Sequence, residues 1–195
     1  YVTSLTIFDK YKELYDSYSS ASENYLKARK IYTKYLMSIN ADVPKYPDAN
    51  FTLRLTFGSV GGFSPKDAVE YDFFTTHRGI TEKADPSNPD FNVPSKLLNL
   101  CDQKDFGVYA KNNELPVCFI TNNDITGGNS GSPVLNGKGE LIGIAFDGNW
   151  EGLNSDIKYE EPYQKCIAVD IRYALFILDK YAGAGYLLNE MKLIR

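Results

Sequence analysis

The chain has 195 residues, 43% of them hydrophobic and 24% charged, which is enough to bury one core and a small second unit. A net charge of −4 leaves no basic face of the kind that nucleic-acid-binding proteins use, so we exclude that class. The longest apolar stretch, residues 166–188, contains two Asp, one Arg and one Lys, and therefore cannot cross a bilayer as an uncharged span.

The three cysteines, Cys101, Cys118 and Cys166, lack the spacing of metal ligands, and no metal or cofactor site is predicted. Because their number is odd, at least one stays unpaired if any disulfide forms. The chain starts at Tyr1 without a signal peptide, so we expect a fragment or a processed product.

An amphipathic helical segment is predicted for about residues 4–39. Apolar or aromatic side chains recur there in steps of three and four, at Phe8, Tyr11, Tyr15, Tyr18, Tyr25, Tyr32, Leu36 and Ile39. Ser20 and Glu23 form a Ser-x-x-Glu capping box, so the pattern allows a break between two helices there. No second helix of similar length follows, and we expect the tyrosine-rich face to be covered by a part of the fold that precedes residue 1.

Alternating side chains predict β-strands after residue 46. Apolar residues at positions 51, 53, 55 and 57 alternate with polar ones, and the period of two returns over residues 69–75. Gly61, Gly62 and Pro65 mark a turn between these strands, which predicts a first hairpin. A surface loop, a short helix capped by Ser95 and another strand are predicted next, over residues 84–94, 95–100 and 117–121.

The remaining residues predict a second hairpin, a last strand and a helix. Residues 132–135 and 141–146 flank Asn136-Gly137, a dipeptide typical of tight hairpin turns. A strand over residues 166–169 precedes a helical pattern over residues 170–181 that ends at Gly183. The predicted fold class is mainly β with helices: an antiparallel β-barrel with an N-terminal helical segment and a C-terminal helix.

The motif Gly-Gly-Asn-Ser-Gly-Ser-Pro, residues 127–133, carries the clearest chemical signal. A serine hydroxyl is a poor nucleophile, so acyl transfer needs it exposed on a sharp turn beside backbone N–H groups that stabilise the oxyanion. We predict Ser130 as the nucleophile and the N–H groups of Gly128 and Ser130 as the oxyanion hole. Gly131 leaves room beside the nucleophile, and Ser132 is expected to face inward as a structural residue.

Gly, Asn and Ser are also ordinary turn-forming residues, which is the alternative interpretation of this motif. The strand before it, the hairpin after it and the C-terminal helix together resemble the chymotrypsin-like serine peptidases. That resemblance implies that the barrel is the second one of a double-barrel peptidase.

A serine nucleophile needs a general base, and His77 is the only histidine of the chain. In chymotrypsin-like folds the base comes from the first barrel, whereas His77 ends a strand of the predicted second barrel. We therefore predict that His77 is an exposed residue at a strand end. The base and its orienting carboxylate are then absent from the chain, which should be inactive alone.

Several longer motifs resemble the bacterial dipeptidyl-peptidases 7 and 11. They are Tyr-Pro-Asp-Ala-Asn-Phe-Thr-Leu-Arg-Leu-Thr-Phe-Gly (46–58), Thr-Gly-Gly-Asn-Ser-Gly-Ser-Pro-Val (126–134), Phe-Asp-Gly-Asn-Trp-Glu-Gly (146–152), Val-Asp-Ile-Arg-Tyr (169–173) and Asp-Lys-Tyr-Ala-Gly-Ala-Gly-Tyr-Leu-Leu (179–188). The resemblance covers nearly the whole chain. It implies a much longer serine exopeptidase that releases dipeptides from oligopeptides with a free N-terminus.

The resemblance also implies the organisation of this longer protein. Residues 1–43 would end a helical capping domain, and residues 44–195 would form the second barrel with its C-terminal helix. The first barrel, with the histidine and aspartate of the triad, would be the missing partner. The family implies export to the periplasm or cell surface of a bacterium, and it leaves homodimer formation open.

Two substrate-binding roles follow from the resemblance. Asp147 would bind the α-ammonium group of the substrate through charge-assisted hydrogen bonds. Gly148 stands where relatives that cut after Asp or Glu are expected to carry Arg, so its pocket would accept a large apolar second residue. Asp124 offers an alternative, because trypsin-like enzymes place the aspartate that binds Lys or Arg six residues before the nucleophile.

Two other functions stay open at this point. A chymotrypsin-like endopeptidase shares the Gly-Asn-Ser-Gly motif but would need neither Asp147 nor a capping domain. A non-catalytic barrel that binds peptides would keep Ser130 as a relic.

Overall fold

The computed structural model describes residues 2–39, 52–153 and 160–194. The chain divides into two compact units, Tyr1–Asp48 and Ala49–Arg195. The predicted domain boundary between residues 43 and 44 lies outside the described residues, as does the predicted strand residue Phe51.

The described residues of the first unit form one α-helix, α1, Val2–Ile39. The break that the pattern allows at Ser20 is not present, because Ser20 lies inside this continuous helix, where Glu23 pairs with Lys27 at 2.6 Å. The predicted face is present, but its aromatic rings are more than half exposed: Phe8, Tyr11, Tyr15, Tyr18, Tyr25 and Tyr32. The described residues of this unit therefore bury no core of their own.

The second unit is built on antiparallel sheets. Strands β1 (Phe63–Lys66) and β2 (Val69–Tyr71) form a two-stranded sheet. A five-stranded sheet with the order β3-β4-β7-β6-β5 contains β3 (Phe74–Thr76), β4 (Pro116–Thr121), β5 (Pro133–Leu135), β6 (Leu141–Gly148) and β7 (Cys166–Asp170). All neighbouring strands in it are antiparallel.

Among the described residues of this unit, three α-helices accompany the sheets: α2 (His77–Lys83), α3 (Ser95–Asp102) and α4 (Ile171–Phe176). The predicted C-terminal helix is confirmed, since α4 continues as a π-helical turn over Ile177–Tyr181 and Gly183 follows with a φ of +69°. Asp170 caps α4 by accepting from the Arg172 backbone N–H at 2.9 Å. The expected cap at Ser95 is wrong, because Ser95 is already the first helical residue and Pro94 precedes it.

The first predicted hairpin is placed wrongly. Pro65 lies inside β1, where an edge strand tolerates a missing N–H donor, and the turn falls at Asp67-Ala68. Phe63 and Tyr71 hold this hairpin together, edge to face with ring centroids 5.3 Å apart. Residues 52–59 form no strand, and Leu53, Leu55 and Phe57 are at least 88% exposed.

The five-stranded sheet is open over the residues that the structure describes. Its edge strands, β3 and β5, do not pair with each other, so these residues form a mixed helix and antiparallel-sheet unit and close no barrel. Near the end of the segment before β1, Val60 bridges Thr121, the Gly61 N–H donates to the Ile120 carbonyl at 3.4 Å, and the Asn122 N–H donates to the Ser59 carbonyl at 3.1 Å. The predicted strand over residues 51–57 is thus not formed over its described residues, 52–57.

The core lies between α3, α4 and the loop that leads into β4. Its buried members are Leu97, Cys101, Phe106, Tyr109, Leu115 and Phe176. On the sheet, Gly143 of β6 lies against Phe119 of β4, and an added Cβ would come within 2.6 Å of that ring. Close packing across the face of the sheet therefore requires glycine there.

The three cysteines are all unpaired in the structure. Cys118 and Cys166 lie on neighbouring strands, but the register pairs them with Val169 and Thr121 instead of with each other. Burial raises the pKa of all three thiols, which disfavours the reactive thiolate. No helix among the described residues is long and apolar enough to cross a membrane.

His77 corrects another expectation, because it is buried rather than exposed. It begins α2 directly after β3, its ring centroid lies 4.6 Å from that of Phe106, and its Nδ1 accepts from the Leu115 N–H at 3.4 Å. Burial, followed by the charges of Lys104 and Arg78, lowers the pKa of His77 below 6.5. The ring is therefore a neutral core residue at pH 7.

This burial predicts a pH-dependent stability. Below about pH 6.5 the unfolded chain binds a proton on His77 that the folded chain resists, so the free energy of unfolding falls as the solution becomes more acidic. We expect a steeper fall between pH 8 and pH 5 in the wild type than in His77→Asn, which keeps an acceptor for Leu115 but does not titrate there. Urea unfolding at both pH values measures this, and parallel slopes for the two proteins would rule the account out.

Candidate active site

Ser130 lies on a turn between β4 and β5 that Asn129 holds together. The Asn129 N–H donates to the Thr126 carbonyl at 3.1 Å, and its Oδ1 accepts from the Thr126 N–H at 3.1 Å. The Ser132 N–H donates to the Asn129 carbonyl at 2.9 Å. These bonds within the turn leave Ser130 exposed at its tip.

Two glycines give the turn its shape. Gly128 and Gly131 have φ values of +108° and +82°, in a region that residues with a Cβ rarely adopt. The N–H groups of Gly128 and Ser130 donate to no acceptor within the described residues. Two neighbouring donors on an exposed turn are thus free to bind an oxygen atom of a ligand, as the predicted oxyanion hole requires.

The turn is fastened to strand β6 by the main chain of Ala145. The Gly131 N–H donates to the Ala145 carbonyl at 2.8 Å, and the Ala145 N–H donates to the Ser132 carbonyl at 2.9 Å. The Ser130 Oγ itself makes only a long hydrogen bond of 3.4 Å, to the Phe146 carbonyl. Its hydroxyl is therefore available and is not bound to a base within the described residues.

A bulge in β6 places the other predicted site residues beside this turn. Ala145 pairs with Ala168, but Asp147 pairs with Ile167, so Phe146 is an extra residue. Past the bulge, the exposed Asp147 accepts from the Gly148 N–H through Oδ1 at 2.8 Å. Asp147 lines the same cleft as Ser130.

An open cleft of about 210 Å³ brings these residues together. Ser130, Asp147 and Gly148 all line it, and so does Asp124, the alternative specificity residue. The structure thus joins four residues that were predicted separately from the sequence. His77 is not among the lining residues, so the cleft contains no histidine.

Three further cleft residues escape prediction from the sequence: Asn149, Gln164 and Lys165. They become neighbours only because β6 and β7 pair with Gly148 opposite Cys166, a register that no local motif reveals. Burial lowers the pKa of Lys165, while Glu161 acts in the opposite direction. The Lys165 Nζ donates to the Glu161 carbonyl at 2.9 Å.

The donor chemistry of the site fits acyl transfer better than metal binding. Among the described residues, no three His, Cys, Asp or Glu side chains are grouped so that they could hold a metal ion. The cleft is instead lined by Ser130, with its hydroxyl and free N–H group, and by the carboxylates of Asp124 and Asp147, while the free Gly128 N–H lies on the same turn as Ser130.

Comparison with known proteins gives consistent matches. The family model Peptidase S46 matches residues 2–193. A dipeptidyl-peptidase 7 of Phocaeicola vulgatus is 57% identical over 166 residues, which cover 85% of this chain and 23% of that protein. An Asp/Glu-specific dipeptidyl-peptidase of Porphyromonas gingivalis is 46% identical over 190 residues, covering 97% of this chain and 26% of that protein.

A solved structure is similar over most of the chain. The crystal structure of Porphyromonas endodontalis DPP11 in complex with the dipeptide Arg-Asp aligns with a TM-score of 0.77 and 44% sequence identity. The alignment covers 83% of this chain and 23% of that one. The chain thus spans about a quarter of the length of the relatives that it matches.

The turn geometry predicts different effects for two glycines. A Cβ on either Gly127 or Gly131 would meet no atom within 4 Å, but only Gly131 has a positive φ. We expect Gly131→Ala to lower the free energy of unfolding by about 1–2 kcal/mol and Gly127→Ala to leave it nearly unchanged. Urea titration of both variants measures this; equal losses would show that backbone strain does not shape the turn.

Proposed function

The chain belongs to the peptidase S46 family, and from this we propose that it is the nucleophile-bearing part of a longer serine dipeptidyl peptidase. The observation that carries the proposal is one cleft holding an exposed serine, free N–H donors beside it and a carboxylate on the adjoining strand. Such a set can both cleave an amide bond and bind a charged peptide terminus.

In the proposed reaction, the Ser130 Oγ attacks the carbonyl carbon after the second substrate residue. Its proton passes to a base that the rest of the longer protein supplies, and the charge on the carbonyl oxygen is stabilised by the N–H groups of Gly128 and Ser130. The amide C–N bond breaks, and the leaving amine takes the proton. Water then releases the dipeptide from the acyl-enzyme.

Asp147 is proposed to fix where the bond is cut. An exopeptidase that releases dipeptides must hold the α-ammonium group at a set distance from the nucleophile. Asp147 is exposed, lines the cleft with Ser130 and stands two residues after Ala145, whose main chain holds the nucleophile turn. Its carboxylate can therefore accept charge-assisted hydrogen bonds from that group.

Gly148 is proposed to favour an apolar second residue. The nearest atom to a Cβ at this position is the Lys165 carbonyl oxygen, 3.9 Å away, so the missing side chain leaves open space. Phe146 and Leu153 also line the cleft. A side chain that fills this space gains about 25 cal/mol for each Å² of apolar surface buried.

For the longer protein we propose a chymotrypsin-like double barrel. Residues 44–195 would contribute the second barrel, and residues 1–43 the end of a helical capping domain. In support, the serine turn joins two strands of an antiparallel sheet, and α4 follows the last strand. The exposed apolar residues of segment 52–59 alternate as they would in a strand that extends this sheet.

The first barrel would supply the base and its orienting carboxylate, and the protein would act in the periplasm or at the cell surface. The buried His77 supports this division, because the only histidine of the chain is already used in the core. One observation favours an alternative substrate specificity: Asp124 lines the same cleft and could bind a Lys or Arg side chain at the second substrate residue.

The full-length enzyme tests this proposal with fluorogenic dipeptides that carry Leu, Phe, Asp or Lys as the second residue. We expect release from free Leu and Phe substrates, loss on N-acetylation, and a fall of at least about 10³-fold in Ser130→Ala. Asp147→Asn should lose about 10- to 100-fold in kcat/KM, because a charge-assisted bond is weakened. Equal cleavage of acetylated and free substrates would favour an endopeptidase. A preference for Lys as the second residue would favour Asp124 as the specificity residue. No hydrolysis of any substrate would favour a binding module.

The pocket assignment makes its own prediction. Because open space adjoins Gly148, Gly148→Arg should place a cation in the pocket, lower kcat/KM for Leu and Phe substrates, and raise it for Asp and Glu substrates by about tenfold or more. Gly148→Met is the matched control, since it adds bulk without charge and should only lower activity. The same response to Arg and Met would contradict the assignment.

A further inference from the structure

Asn149 directly follows Asp147 and Gly148, and it is buried although it is polar, with 8% of its surface exposed. Its Oδ1 accepts from the Lys165 N–H at 2.7 Å. Its Nδ2 donates to the Tyr163 carbonyl at 2.7 Å and to the Glu151 carboxylate at 2.9 Å. The amide thus uses its acceptor and both of its donor hydrogens, which fixes its orientation.

The main chain of Asn149 strengthens the same connection. Its N–H donates to the Lys165 carbonyl at 3.0 Å, so one residue binds both polar main-chain groups of Lys165. The Gly152 N–H donates to the Asn149 carbonyl at 3.1 Å. A Cβ on Gly152 would lie 2.8 Å from the Asn149 Oδ1 and 3.1 Å from the Gln164 Cγ, so the two segments meet too closely for any larger residue.

These joined segments form one wall of the cleft. Asn149, Gly152, Gln164 and Lys165 line it together with Ser130. The open space beside Gly148 ends at the Lys165 carbonyl oxygen, 3.9 Å from where a side chain would begin. Because Gly148 itself places no atom there, the position of this boundary depends on the hydrogen bonds that Asn149 makes to Lys165.

We propose that Asn149 is a positioning residue that fixes this wall and thereby determines which second-residue side chains the enzyme accepts. The inference rests on the proposed dipeptidyl peptidase function. Asn149 acts through Lys165 and takes no part in proton transfer. Without its side-chain amide, the Lys165 N–H and the Tyr163 carbonyl lose their partner, and of the Asn149 bonds to this segment only the main-chain one to the Lys165 carbonyl remains. Residues 163–165 can then shift toward the space beside Gly148, and the pocket loses its defined size.

The test compares Asn149→Ala with a matched control in the full-length enzyme. Asn136 has a similar amide network, in which Nδ2 donates to Glu140 at 2.6 Å and Oδ1 accepts from the N–H groups of Lys138 and Glu140 at 2.9 and 3.1 Å. It turns the β5–β6 hairpin and does not line the cleft. Asn136→Ala therefore removes equivalent bonds away from the pocket.

The readout is kcat/KM for dipeptidyl substrates with Ala, Leu or Phe as the second residue, normalised to active sites titrated with a fluorophosphonate. We expect Asn149→Ala to lose roughly 10- to 100-fold on Leu and Phe, mainly through KM, and to change by less than about threefold on Ala. Asn136→Ala should leave the ratio between substrates unchanged. Dividing by the titrated active sites corrects for any loss of folded enzyme, which would otherwise lower the apparent kcat/KM of all three substrates equally.

Asn149→Asp supplies a second measurement. Its carboxylate still accepts from the Lys165 N–H but places negative charge against the Tyr163 carbonyl and Glu151. At pH 8 the ratio of kcat/KM for Leu and Phe substrates to that for Ala should be lower than in the wild type. The ratio should recover as the pH falls, because the protonated carboxyl group can donate a hydrogen bond. If Asn149→Ala yields no titratable sites, this variant decides the question.

Two outcomes overturn the inference and leave the proposed function standing: an equal loss on all three substrates, or a wild-type ratio in both Asn149 variants. A wild-type enzyme that releases no dipeptides overturns the proposed function and this inference with it.

Discussion

The site depends on two backbone hydrogen bonds that Ala145 makes to the serine turn. Gly131 donates to its carbonyl at 2.8 Å, and its N–H donates to the Ser132 carbonyl at 2.9 Å. Ala145 also pairs with Ala168 of β7, one residue before the bulge at Phe146. The same strand thus holds the turn that carries Ser130 on one side and, beyond the bulge, carries Asp147 and Gly148. The distance of Asp147 and Gly148 from Ser130 is therefore set by strand β6, to which the serine turn is hydrogen-bonded.

In the proposed peptidase, the residues that would react with the substrate and those that would select its second side chain lie on different segments. Ser130 and the free N–H groups lie on a turn whose shape requires glycine, whereas the pocket wall beside Gly148 is made of main chain held by buried amide bonds. Because residue 148 is glycine, it places no side chain in the space beside it. The neighbouring segments therefore bound the space beside Gly148, and under the proposed function changes in them would alter specificity while Ser130 stays in place.

Sequence patterns predicted those elements whose structure depends on residues adjacent in the chain. The β5–β6 hairpin, the helix after Asp170 and the glycine-rich serine turn were predicted from adjacent residues, and the structure contains all three. The hairpin turn is longer than the tight Asn136-Gly137 turn that was predicted, because Gly139 and not Gly137 has a positive φ, of +77°. The strand expected over residues 51–57 is not formed over its described part, residues 52–57, because alternation shows only that a strand could bury one face and not that a partner strand is present. Burial of His77 against Phe106 and the Asn149 contacts to Lys165 depend on tertiary packing, which sequence periodicity does not encode.

The most direct test of the account is to label the full-length protein with a fluorophosphonate and to locate the modified residue by mass spectrometry. The account predicts modification at Ser130, retained in Ser132→Ala and abolished in Ser130→Ala. Modification of another serine, or no modification of a folded protein, would contradict the assignment of Ser130 as the nucleophile.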